Sequence, residues 1–113
     1  MHDIPAKDWK LFREKIPGWQ ESCMESLCWE YIELLQQNKS ASERFWQLDE
    51  RIRTDRRRTG VVIDLRRSMM IHDLAMLLLE EVISEADLAE FTEKTREQAI
   101  GLCAFWKEQN ENS

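Results

Sequence analysis

From Met69 to Leu79 the chain is almost wholly apolar, and only His72 and Asp73 are strongly polar. Met69, Met70, Ile71, Leu74, Met76, Leu77, Leu78 and Leu79 fall all round a helical wheel. A helix that is hydrophobic on every side belongs inside a protein or a membrane. Eleven residues cannot cross a bilayer, which takes about 20. A buried core helix is therefore expected within residues 61–83, with the rest of the chain packed around it.

Three helices are predicted ahead of it. The first runs from about Pro5 to Ile16, with Trp9, Phe12 and Ile16 on one face, and the pair Pro17-Gly18 reads as a turn that ends it. The second runs from about Trp19 to Gln37 and carries Cys23, Met24, Leu27, Tyr31, Leu34 and Leu35 as its apolar face. The third begins after Ser40, which has capping-box spacing to Glu43, with Phe45, Leu48 and Ile52 as its core stripe. Gly60 is the candidate carboxyl cap of that helix, and Asp64 the candidate N-cap of the central one. The central helix is expected to loosen at Glu80-Glu81, a pair read as solvated. Ser84 with Asp87 then signals a last helix whose stripe is Leu88, Phe91, Thr95, Ala99, Leu102 and Trp106, and whose end should fray from Asn110. The predicted fold is all-α, a compact bundle of four or five helices in one domain spanning residues 1–113.

Composition narrows the function classes. Hydrophobic residues make 42% and charged residues 34% of the 113, a globular balance and not a disordered one. A net charge of −6 argues against broad nucleic-acid affinity for the molecule as a whole. With no signal-peptide pattern at the amino end, a cytoplasmic protein is the expectation, and no span is long enough for a membrane. Three cysteines make no disulfide framework, and Cys23 and Cys28 are set too far apart round a helix to share an ion. All three are expected as buried reduced thiols, with no metal and no cofactor.

Catalytic groups are scarce. His2 stands near the amino end, and His72 sits beside Asp73 on the buried helix, where neighbouring side chains diverge by about 100°. No phosphate loop, nucleophile elbow or two-histidine motif is present, so no enzyme is expected. The arginines are more informative. Residues 49–67 hold seven of them (51, 53, 56, 57, 58, 66 and 67) against four acids, a local +3 that leaves −9 for the rest. Such segregation fits a phosphate footprint, or arginines paired with the acidic second and last helices. Arg66 and Arg67 would stand near the start of the central helix, the wrong end for its dipole.

Two of the five tryptophans fall off the predicted core stripes. Trp29 points away from the Leu27–Tyr31–Leu34 face, between Glu25 and Glu33. Trp46 shares an outer row with Glu50, Arg53 and Arg57 at steps of four, three and four residues. Tryptophan and arginine are enriched at interface hot spots, although another helix, such as the first, could equally cover either ring. The candidate interaction residues are Trp46, Arg53, Arg57, Arg56, Arg66, Arg67 and Trp29.

Across FWQLDERIRTDRRRTGVV (residues 45–62) and LLLEEVISEADLAEF (residues 77–91), the chain resembles small uncharacterised helical proteins of Gram-positive bacteria, some labelled "multidrug transporter". The resemblance implies no catalytic residues, and a transporter is untenable without a spanning segment. By analogy it suggests a phage or mobile-element accessory protein. Three functions are thus expected in order: a non-enzymatic protein-interaction module (adaptor, regulator or inhibitor, with a homodimer in view), a nucleic-acid binder using arginines 51–67, and a phage-type inhibitor acting as an acidic mimic.

Overall fold

The computed structural model describes residues 4–111; His2 and residues 112–113 lie outside the described residues. The fold is all-α, as expected, with no strand among the described residues. The four α-helices are α1 (Ala6–Leu35), α2 (Ala41–Asp55), α3 (Met70–Leu79) and α4 (Glu93–Glu111); a short turn joins the first two, and longer connections carry 3₁₀ turns at Arg67–Met69 and Glu85–Leu88.

The first correction is that Pro17-Gly18 ends nothing. The two helices expected on either side of it are one helix of 30 residues, about 45 Å long. An interior proline costs roughly 3 kcal/mol, but both sides of Pro17 are anchored in one core. Phe12 and Ile16 are buried, while Trp19 meets Phe12 at 6.5 Å and Phe91 at 6.4 Å between ring centres. Each large apolar side chain is worth about 1.5–3 kcal/mol on burial, so together they outweigh the proline. Gly18 has open space around it and no positive φ.

The central helix is the core it was expected to be. Met70, Leu74, Ala75, Leu77 and Leu78 of α3 are buried with Phe12 and Ile16 of α1, Leu88 and Phe91 of the turn before α4, and Ala99 and Cys103 of α4. Its start differs: α3 begins at Met70 after a 3₁₀ turn, and Asp64 stays exposed, paired with Arg66 at 2.8 Å. It ends at Glu80 as expected. Glu81 takes φ 60°, and the Val82 N–H reaches the Leu77 carbonyl at 2.9 Å, a Schellman closure.

The Ser84–Asp87 box forms, with the Ser84 N–H donating to Asp87 at 2.7 Å, but it caps only the 3₁₀ turn. The last helix starts later, where the buried Asp8 of α1 accepts from the Thr92 N–H (3.0 Å), the Thr92 hydroxyl (2.6 Å) and the Thr95 hydroxyl (2.6 Å). α4 then runs through Asn110 to Glu111, so the helix extends past the point where its end was expected, and the remainder of that expectation, at 112–113, lies outside the described residues. The body of the molecule is thus the amino-terminal half of α1 with α3 and α4.

Candidate interaction surface

The second half of α1 and all of α2 form a helical hairpin beside that body. No residue of α2 belongs to the hydrophobic core. Of the expected stripe, Phe45 does not pack inward, being 62% exposed, and Ile52 stands 37% exposed at the groove beside α1, whereas Leu48 is half-buried on the side that faces α1. α2 instead turns a polar row toward α1. Arg44 donates to the Leu35 carbonyl at 2.8 Å, Arg51 to Glu30 at 3.0 Å, and the Tyr31 hydroxyl to Asp55 at 2.6 Å. These partners recur at Arg44, Arg51 and Asp55, one face of a helix. Glu30, Tyr31 and the Leu35 carbonyl of α1 explain the choice, since they offer hydrogen-bond partners that an apolar stripe would leave unsatisfied. Burial, together with the Asp55 carboxylate, pushes the Tyr31 hydroxyl up to about 12.

The apolar side of α2 is consequently left in water. It borders the equally exposed Met24, Ile32 and Leu35 of α1. Between the helices lies a groove of about 220 Å³ lined by Met24, Leu27, Cys28, Tyr31, Ile52 and Arg56, among others. Cys28 is exposed there, contrary to the expectation of three buried thiols; Cys23 and Cys103 are buried.

The hairpin is tied to the body at Glu80. Its carboxylate accepts from the backbone N–H groups of Thr59 (3.1 Å) and Gly60 (3.3 Å), and Arg58 donates to its carbonyl at 3.0 Å. Glu80 is therefore half-buried and engaged, and only Glu81 is solvated. Gly60 is not a left-handed cap but a close approach: a Cβ there would lie 2.5 Å from Cys23 Sγ and 2.7 Å from Val82 Cγ2.

The sequence-predicted site residues divide between two places. Trp46 is 62% exposed and Trp29 61%, so no helix among the described residues covers either. Phe45 and Trp46 meet edge to face at 4.9 Å. Arg53 is exposed and pairs with Asp49 at 2.8 Å, and Arg56 and Arg57 are exposed just past α2 and make no ion pair among the described residues. Arg66 and Arg67 lie away from the hairpin. Arg66 pairs with Asp64, and the Arg67 guanidinium holds the Ile4 carbonyl, fastening the chain start to the turn before α3. The arginine cluster is thus dispersed in space. Arg51 and Arg58 are also engaged, with Glu30, Asp55 and Glu80.

His72 is exposed, its ring edge-on to Trp106 at 5.2 Å and its Nδ1 3.6 Å from the Asp73 carboxylate. Burial raises the Asp73 carboxyl above its usual range. Phe45, Ile52, Met24 and Leu35 are surface residues that sequence reasoning placed on apolar faces turned inward. Compared with family models, with curated proteins and with solved structures, the chain matches none.

Proposed function

We propose that this protein is a non-enzymatic, cytoplasmic protein-interaction module, an adaptor, regulator or inhibitor that works through the outer flank of its α1–α2 hairpin. One observation carries the reading: α2 uses its polar side on α1 and leaves Phe45, Trp46 and Ile52 exposed. Large apolar side chains gain nothing in water, and contiguous patches of this kind mark interaction sites. The rim of Arg53, Arg56 and Arg57 supplies groups that stack on aromatic rings or fork onto carboxylates. Phosphate binding is less well supported, because ion pairs and carbonyls occupy most of the arginines.

In-cell photocrosslinking tests the proposal, with a benzophenone side chain replacing Trp46 or Ile52 in turn. Protein adducts that survive nuclease treatment are expected from both positions. Failure of both to form any adduct, to itself or to another protein, would overturn the module reading, and nuclease-sensitive adducts alone would favour nucleic acid.

A further inference from the structure

We infer that the occupant of this flank is a second copy of the same chain, the two hairpins packing face to face as a four-helix bundle; the inference rests on the interaction-module reading. Charge segregation on the hairpin supports it first. Between Trp19 and Leu35, α1 carries Glu21, Glu25, Glu30 and Glu33 and no base, with only Glu30 engaged by α2. α2 carries acids as well, and Asp49 pairs with Arg53, so the cations left without an ion pair among the described residues of the hairpin end are Arg56 and Arg57. Arg56, which has no ion pair among the described residues, and Arg53, which shares its edge with its partner Asp49, flank the Ile52 side, and Glu25 and Trp29 flank the Cys28–Ile32 side, at about 100° per residue. Each hairpin thus carries an acidic edge and a basic edge on either side of an apolar strip.

A two-fold axis parallel to the helices places α1 of one copy over α2 of the other. This packing sets the edge with Glu25 and Trp29 against the edge with Arg53 and Arg56, twice. The alternative axis, across the helices, would stack α1 on α1 and bring the acids together. Isologous pairing of this kind is the commonest form of self-association.

Size supports it second. The flank runs along about 15 residues of each helix, roughly 22 Å, and helices 8–10 Å apart make it about 20 Å across. That surface would remove on the order of 500–800 Å² per copy from water, at the lower end of what stable interfaces bury. The packing would also cover Trp29 and Cys28, which are exposed among the described residues.

Sedimentation velocity on the full chain from 1 to 200 µM is the test, with iodoacetamide labelling of Cys28 as a second readout. A monomer–dimer equilibrium is expected, with Cys28 labelling slowing as the dimer fills. Ile52→Glu and Phe45→Ser should each weaken association at least tenfold with unchanged helical circular dichroism. Arg53→Glu with Arg56→Glu should weaken it similarly, and adding Glu25→Arg should restore part of the loss. A monomer at every concentration overturns the dimer while leaving crosslinks to other proteins free to support the module. A dimer indifferent to Ile52→Glu and Phe45→Ser overturns this face. A dimer lost to those variants but indifferent to the charge reversals overturns the α1-over-α2 packing.

Discussion

At Gly60 a single missing methyl decides how two parts of the molecule meet. An alanine there would drive its Cβ against Cys23 Sγ and Val82. Overpacking of this sort costs about 1–3 kcal/mol, so Gly60→Ala should lower the melting temperature, and Cys23→Ala in the same chain should recover part of the loss by removing the sulfur. Two additive effects in that cycle would contradict the close approach. Asp8 is the second decisive residue. Burial alone would raise its carboxyl, but the hydrogen bonds from Thr92 and Thr95 and the Thr92 N–H outweigh it and hold the group below 3.8. A depressed folded value means stability that is present above the ordinary value and lost as pH falls through the folded one. Chemical denaturation below about pH 4 should therefore show a stability loss that is smaller in Asp8→Asn, and Asp8→Ala should cost about 3 kcal/mol at neutral pH. Equal acid sensitivity of wild type and Asp8→Asn would contradict this role. Neither residue was legible as such in the sequence. A glycine after an arginine run looks like a cap, and the partners of Asp8 lie more than eighty residues away.

Among the elements, α1 shows which local signal loses. Asp8, Phe12, Ile16, Trp19, Cys23, Leu27, Tyr31 and Leu34 follow one another at steps of three and four straight through Pro17. That unbroken phase was readable, and it was overridden by the proline-glycine pair, a local breaker that tertiary packing outweighs. Pro17 is exposed, so Pro17→Ala should restore an N–H to the helix ladder and raise stability by about 1–2 kcal/mol in thermal melts. A destabilised variant would mean that the chain needs a break at this point. The all-round apolar character of α3 did identify the core helix, because no placement at a surface would satisfy it. α2 was misread for the opposite reason. Its period marked an amphipathic helix, but period alone does not say which face meets the neighbour, and Glu30, Tyr31 and the Leu35 carbonyl of α1 decided for the polar one.

On the scale of the whole molecule, the body holds the apolar core and the hairpin projects surface chemistry, within extents of 53 × 35 × 23 Å. The all-α class and the exposed candidates Trp29 and Trp46 were within reach of the sequence. The flank itself was not, since it exists only because α2 faces α1 through Arg44, Arg51 and Asp55. The central claim is that the apolar side of α2 serves association and not folding. It is tested most directly by the stability of Phe45→Ala with Trp46→Ala, measured by denaturant titration at a concentration well below that of any self-association. The account predicts a change within about 0.5 kcal/mol of wild type, the range for surface positions. A loss of roughly 3–5 kcal/mol or more, as for aromatics emptied from a core, would contradict it.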